Sequence, residues 1–248
     1  MLKTKEFYDT YWPKNVPDLK KTEEHVFSLL PYNEFFQLVL DAGCGTGVCS
    51  LSLSKKAKMV IGTDISSGSL NTALSLANSL MINNIQFVQA DLLNLPFNDE
   101  TFDLVFSWGV IHHTVAPLRA LDELVRVLKK GGILILAVYL KTRLTFLHEF
   151  LRKVCLRFPS FLKRPFIKSV AFMVRIAEKF GKNTNVRADN PLIESQVEDW
   201  FFVPEKHFFT IDEMKRHFLE RGLNFELLCP QTGRFKSSSN FIVRGIKR

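Results

Sequence analysis

The sequence predicts an α/β fold, a parallel sheet buried between two layers of helices. Three observations predict it. Short apolar runs near 37–41, 58–63, 85–90, 102–107 and 132–138 alternate with helical segments at 47–56, 66–82 and 116–129, the pattern of parallel strands covered on both faces. The first run, Val39-Leu40-Asp41-Ala42, leads directly into Gly43-Cys44-Gly45-Thr46-Gly47. Glycines at alternate positions leave no Cβ where the backbone bends and a ligand comes close. Finally, Asp64 closes the second run, Met59-Val60-Ile61-Gly62-Thr63-Asp64, where a carboxylate can accept both hydroxyls of a ribose.

Taken in order, residues 1–34 are mixed. Phe7-Tyr8-Asp9-Thr10-Tyr11-Trp12 is aromatic-rich and ends at Pro13, and a helix is expected over Leu19–Leu30. After the glycine turn, the residues from Val48 to Ser54 suit the first turns of a helix whose free N–H groups face the same ligand. The segment 116–129 is well marked. Pro117 suits a first turn, and Leu118, Leu121, Leu124, Val125 and Leu128 form one apolar stripe, with Lys129, Lys130 and Gly131 suiting its end. The alternation breaks at Lys141 and resumes near Phe209, where Thr210 and Glu213 have capping-box spacing. Leu223–Cys229 and Asn240–Ile246 read as two strands joined in hairpin fashion through Pro230–Ser239.

Composition bounds the rest. A chain of 248 residues with 46% apolar content supports one elaborated α/β domain and a sizeable core. Lys3, Lys5, Glu6 and Asp9 interrupt any signal-peptide pattern, and no apolar run reaches about 18 residues. A cytoplasmic location is therefore expected. Cys44, Cys49, Cys155 and Cys229 are scattered without metal-site spacing, so reduced thiols and no metal are expected. The net charge of +8 is concentrated. Residues 141–182 hold eleven Lys and Arg against Glu149 and Glu178. That segment carries +9 and the remainder sums to −1, a near-neutral core with one basic segment.

Asp41-Ala42-Gly43-Cys44-Gly45-Thr46-Gly47 resembles the first motif of the class I S-adenosylmethionine (SAM)-dependent methyltransferases, of the type 11-like group. Gln89-Ala90-Asp91-Leu92, Phe102-Asp103-Leu104-Val105-Phe106-Ser107 and Leu128-Lys129-Lys130-Gly131-Gly132-Ile133-Leu134-Ile135 agree with later motifs in family order. The resemblance is strong over 35–140 and weak over 205–248. It implies a Rossmann-like seven-stranded sheet with helices on both faces, the last strand antiparallel. It also implies one methyltransferase domain over 1–248, with an N-terminal flap (1–34), a SAM-binding core (35–140), an inserted helical lid (141–206) and a C-terminal part of the core (207–248).

By the same resemblance, Gly43, Gly45 and Gly47 shape the turn facing the methionine part of SAM, and Asp41 helps hold its amino-acid portion. Asp64 takes the ribose hydroxyls and Ile65 packs on the adenine. Asp91 accepts from the adenine amino group, Leu92 donates its backbone N–H, and Ser107 and Trp108 line the pocket wall. His112 and His113 sit where the family meets substrate, and either can serve as a general base. Many relatives have Glu-His there, so His112 departs from that subset. NAD is the rival cofactor, but Val48 holds the third-glycine position of a dinucleotide GxGxxG turn. Methyl transfer requires no metal, because the sulfonium is already activated and alignment supplies much of the catalysis.

The insertion from Lys141 to about Lys206 departs from a minimal enzyme of this kind. Leu144, Phe146, Leu147, Phe150, Leu151, Val154 and Cys155 lie at helical spacing, and Leu162, Phe166, Val170, Val174 and Ala177 form a second apolar face. Lys and Arg interleave, as in a basic amphipathic helical pair. Asn183–Asn190 reads as a loop and Pro191–Trp200 as a short helix. The expectation is a small, partly apolar acceptor, lipid- or quinone-like, met by Tyr11, Trp12, Phe146, Phe150, Trp200 and His207. Peripheral contact of 141–182 with an anionic membrane is a further expectation. The rivals are an RNA methyltransferase, since Ile111-His112-His113 and Leu124–Gly132 also resemble the tRNA wobble-uridine enzymes, and a non-catalytic SAM-binding subunit. Nucleic acid is the less favoured partner, because Phe and Leu at helical spacing suit a lid or membrane better than a phosphate track.

Overall fold

The computed structural model describes residues 2–11, 17–179, 193–229 and 240–248. Its centre is a seven-stranded sheet in the order β3-β2-β1-β4-β5-β7-β6. The strands are β1 (Phe36–Ala42), β2 (Ala57–Asp64), β3 (Ile85–Gln89), β4 (Phe102–Trp108), β5 (Leu128–Tyr139), β6 (Glu226–Cys229) and β7 (Asn240–Ile246). The first five run parallel, and β7 lies antiparallel to both β5 and β6. The chain winds outward from β1 to β3, then restarts beside β1 with β4. A topological switch point therefore lies between β1 and β4, and ligands of such sheets bind there, beyond the carboxyl ends of the strands.

Alternate residues of each central strand feed opposite layers. Val39, Leu104 and Ile135 pack with Val26 and Leu29 of α2 (Leu19–Leu29). Leu40, Val105 and Leu134 pack instead with Leu121 and Leu124 of α5 (Pro117–Val127) and Met214 and Phe218 of α9 (Ile211–Glu220). α3 (Val48–Leu53) packs against α2, and α4 (Ser67–Ser79) packs on β2 and β3. The Thr210–Glu213 capping box forms in both directions, at 3.1 and 2.8 Å.

Two boundaries differ from the sequence reading. α5 stops at Val127, and β5 begins at Leu128 rather than near 132. Leu128 pairs with Phe102, and Lys129 bonds Asp103 across the strands at 2.7 Å, so pairing with β4 overrides the helical stripe. β6 begins at Glu226, later than expected, while Leu223 only bridges Lys247. The expected connection Pro230–Ser239 and the loop Asn183–Asn190 lie outside the described residues.

The insertion comprises α6 (Thr145–Cys155), α7 (Ser160–Lys179) and α8 (Ile193–Phe202), with α6 and α7 both packed on α8. The chain leaves the sheet after Tyr139 and returns at Phe209. Phe209 N–H donates to Tyr139 O at 2.9 Å and Lys141 N–H to Phe209 O at 2.8 Å, so both ends of the insertion are clamped beside β5. At the N-terminus, α1 (Leu2–Tyr11) packs against α4, and Tyr8 is buried against Val203. The flap thus touches both the core and the end of the insertion.

Gly43, Gly45 and Gly47 all have positive φ, which L side chains adopt at a cost of about 1–2 kcal/mol. At Gly43 a Cβ would also collide with the side chain of Val110. Gly43→Ala is expected to cost more than about 2 kcal/mol in urea unfolding, strain and overpacking together. Gly131→Ala has the same backbone strain (φ +75°) with open space around it, and is expected to cost only the smaller amount.

Candidate active site

The glycine turn is built by backbone and carboxylate together. Gly43 and Cys44 N–H groups both donate to Thr63 O, at 2.7 and 2.8 Å, which ties the turn to β2. Asp64, at the end of β2, accepts from Gly45 N–H through Oδ2 and from Ser66 N–H through Oδ1, each at 2.9 Å. Asp41, at the end of β1, accepts the Ser50 hydroxyl at 2.6 Å. Both carboxylates are buried and neither joins an ion pair among the described residues. Burial raises the Asp41 carboxyl to about 7, against the Ser50 bond, and Asp64 adds repulsion. Burial also raises Asp64. The neighbouring Cys44 and Cys49 thiols are pushed well up, first by burial and then by the carboxylates, so neither is a thiolate nucleophile. Asp91 follows β3 and accepts Leu93 N–H at 3.0 Å. Leu92 is buried, and Ile65 is half-buried with its carbonyl held by Gln89 Nε2 at 2.9 Å.

The other expected residues of this set serve packing. The Ser107 hydroxyl donates to Ala42 O at 3.0 Å and so joins β4 to β1. The Trp108 ring stacks on Phe106 and meets His25 of α2 edge-on.

After β4 the chain makes a single 3-10 turn, Ile111–His113, which buries both histidines. Their surroundings differ. His113 Nδ1 lies 2.9 Å from Glu205 O, so it carries the proton, and Nε2 faces Asp199 Oδ1 at 3.6 Å. His113 is thus held by the protein through Nδ1. Among the described residues neither His112 nitrogen is hydrogen-bonded, and its ring lies against Tyr139, with centroids 4.0 Å apart. Around them lies a polar cluster absent from the sequence reading. Asp199 of α8 accepts the Tyr139 hydroxyl at 2.6 Å and Lys206 Nζ at 3.3 Å, and Lys206 sits over the Tyr139 ring. Burial alone would raise the Asp199 carboxyl, but Lys206, His113 and Tyr139 outweigh it and hold it low. Arg152 of α6 donates to Val203 O and Pro204 O, both at 2.9 Å. Asp199, Tyr139, Lys206 and Arg152 carry no motif. They stand 60 residues apart at Tyr139 and Asp199, and only the clamped insertion brings them together.

Beyond this cluster a cleft of about 600 Å³ opens between the start of α5, the loop after β5, α6 and residues 207–209. Phe146, Phe208 and Phe209 give it aromatic walls, and Arg119, Lys141 and Arg143 line it with Glu149 as the counter-charge. His207 also lines it, with its N–H donating to His112 O at 2.8 Å. Of the residues expected to meet an acceptor, Phe146 and His207 come together here. Phe150 and Trp200 do not. Phe150 points outward, 63% exposed, and Trp200 packs against Ala171, Ile193 and Val197 inside the insertion. Phe166 likewise joins Phe158, Phe201 and Phe202. Trp12 and the Tyr11 side chain lie outside the described residues.

Residues 40–136 match the model of a family described as a methyltransferase domain. The solved structure of YcgJ from Bacillus subtilis aligns over 93% of this chain and 97% of that one, with a TM-score of 0.60 at 17% identity. This is the class I SAM-dependent methyltransferase fold. A demethylmenaquinone methyltransferase from Clavibacter sepedonicus is 38% identical over 103 residues, 41% of this chain and 40% of that protein. A malonyl-[acyl-carrier protein] O-methyltransferase from Marinomonas is 37% identical over 131 residues, 52% of this chain and 46% of that protein. The matches thus span less than half the length of these curated relatives.

The cofactor of this fold is SAM, and the cradle suits it. Asp41 and Asp64 place two buried carboxyls in the cradle with no counter-cation among the described residues, complementary to a ligand with an ammonium, a sulfonium and ribose hydroxyls that would hold them ionised. A dinucleotide would bring a pyrophosphate against the same carboxylates. Among the described residues no group of His, Cys, Asp and Glu could hold a metal ion.

The buried histidines make stability pH-dependent. His113 is lowered to about 4, first by burial and then by Lys206 against the pull of Asp199, and His148 is also lowered to about 4, by burial, Lys206 and Arg152. Unfolded, each titrates near 6.5. The unfolded chain therefore binds more protons between about pH 4 and 6.5, and stability rises with pH across that window. Asp41, raised to about 7, acts in the opposite sense from about pH 4 to 7. Urea midpoints of the apoprotein are expected to rise over the histidine window. His113→Gln or His148→Gln should flatten the rise, and Asp41→Asn should steepen it.

Proposed function

We propose that this chain transfers a methyl group from SAM to a small, partly apolar acceptor, lipid- or quinone-like in character. One observation carries this reading: the carboxylate cradle, without a counter-cation among the described residues, ends β1 and β2, and the turn after neighbouring β4 bonds through the His112 carbonyl to His207 of an aromatic-walled cleft of about 600 Å³. In this reading Asp64 accepts the ribose hydroxyls, and Asp41 holds the amino-acid portion. Asp91 and the Leu92 N–H hold the adenine edge, and Ile65 packs on its face. When bound, SAM supplies a methyl group already activated by the sulfonium. The chain's own part is alignment and the exclusion of water. α1 and the end of α8 cover the carboxyl edge of the sheet, and Phe146, Phe208 and Phe209 hold the acceptor's apolar part.

An acceptor hydroxyl, amine or activated carbon also loses a proton. Among the described residues neither His112 nitrogen is hydrogen-bonded, and burial with the charges of His113, Lys206 and His207 keeps the ring neutral. His112 is therefore the one of the pair with nitrogens open to an acceptor, while His113 Nδ1 is held by the Glu205 carbonyl. The match to a demethylmenaquinone methyltransferase supports a quinone-like acceptor. The malonyl-[acyl-carrier protein] O-methyltransferase matches over a comparable share, so the cleft's own chemistry carries more weight than either name.

A methyl-transfer screen with labelled SAM against lipid, small-molecule and RNA fractions tests the reading. Label in an apolar small molecule is expected. Label confined to RNA would replace the acceptor, and no label despite S-adenosylhomocysteine binding would leave a binding subunit. Asp64→Ala is expected to weaken S-adenosylhomocysteine binding roughly ten- to a hundred-fold, the loss of a charged hydrogen bond worth about 1.5–3 kcal/mol. Calorimetry showing unchanged affinity would displace the ribose from Asp64.

A further inference from the structure

The insertion presents its helices in an unexpected orientation. α6 is amphipathic, but its inward side is the polar one. Thr145 and Cys155 are buried, Arg152 is buried on the carbonyls of Val203 and Pro204, and His148 lies against Phe201 and Phe208. These four follow helical spacing. The apolar stripe Leu147, Phe150, Leu151 and Val154 faces away from the protein and continues into Leu144 and Phe146, the latter 71% exposed. α7 uses Ala171, Ile167, Val170 and Val174 to pack on α8, yet leaves Phe161 72% and Phe172 62% exposed, with Met173 also exposed. Monomeric proteins rarely expose large apolar stripes without a partner for them.

The charges around these stripes identify the partner. Arg143, Lys153, Arg157, Lys163, Arg164, Lys168 and Arg175 belong to the same two helices and their joins, against Glu149 alone among the acidic residues of 141–176. A protein interface core is depleted of Lys. A second copy of this chain would set one basic face against another. RNA would use the cations but not Leu147, Leu151, Val154 and Met173, which cannot stack on bases. No helix among the described residues is long and apolar enough to cross a membrane. Apolar side chains entering the acyl boundary, with Lys and Arg at headgroup level, is the arrangement of an interfacial helix.

We propose that the outward faces of α6 and α7 dock on an anionic lipid bilayer. Phe146 belongs both to the exposed stripe and to the cleft wall, and Arg143 lines the same cleft. The cleft mouth therefore lies at the docking face, and an apolar acceptor enters from the bilayer without crossing water. This entry route rests on the proposed methyl transfer, whereas the docking does not.

Co-sedimentation with vesicles of phosphatidylcholine alone and of phosphatidylcholine with phosphatidylglycerol tests it. Binding is expected on the anionic vesicles and should fall with salt. Two variants should each lose at least about tenfold in partitioning. One is Phe150→Glu with Phe172→Glu, and the other is Lys153, Arg157, Arg164 and Lys168 changed to Gln. Both should keep the parent's affinity for S-adenosylhomocysteine, which reports an intact core. Absence of binding to anionic vesicles, or unchanged partitioning of the folded variants, overturns the proposal. So does self-association of the parent, lost with Phe150→Glu, or tight tRNA binding lost in the Gln variant, in the absence of vesicle binding. Vesicle binding by a protein that fails to bind S-adenosylhomocysteine would leave the docking in place and remove the methyl-transfer reading.

Discussion

The cofactor end of this molecule depends on the carboxylate of Asp64. Its two oxygens hold Gly45 N–H from the turn after β1 and Ser66 N–H from the entry to α4. One side chain therefore sets the glycine turn and the next helix relative to each other. Burial makes the charge costly, and it is retained by hydrogen bonds rather than by a cation. Beside it, Asp41 rests on Ser50, and burial raises its carboxyl to about 7. Two buried carboxyls without a counter-ion among the described residues favour a positively charged neighbour, which suits a cationic cofactor better than an anionic dinucleotide.

The acceptor side is organised by a second buried polar set, made where the insertion meets the sheet. Asp199, Lys206 and Tyr139 satisfy one another where α8 meets the sheet, His113 bonds the Glu205 carbonyl beside them, and Arg152 binds the carbonyls that follow α8. Such groups contribute little net stability against an apolar alternative, because desolvation offsets attraction. Removing one partner alone is expensive. Their effect is to make the seat of α8 specific. With that seat taken by polar groups, α6 turns Thr145, His148, Arg152 and Cys155 inward, and its apolar stripe is left outside.

This reversal separates two possibilities that amphipathic periodicity leaves equal. A helix with one apolar and one basic polar side fits either a lid closed on the core or a surface helix. Periodicity describes which residues share a side, not what that side meets. The inward contacts of Arg152 and His148 fix which side of α6 meets the protein, and they depend on residues 203, 204, 201 and 208, some 50 positions away in the chain.

The sheet and the glycine turn were legible in the sequence alone. Strands buried on both faces read as continuous apolar runs, and a turn that needs positive φ at Gly43, Gly45 and Gly47 declares itself by residue type. Asp41, Asp64 and Asp91 follow from that turn because the ends of consecutive parallel strands share one edge. These are local requirements, and local requirements leave marks on the sequence. The start of β5 at Leu128, the different surroundings of His112 and His113, the Asp199 cluster and the outward stripe of α6 were decided only by the tertiary structure. Each depends on a partner contributed from far along the chain, and neither spacing nor composition records which distant groups the fold brings within hydrogen-bonding distance.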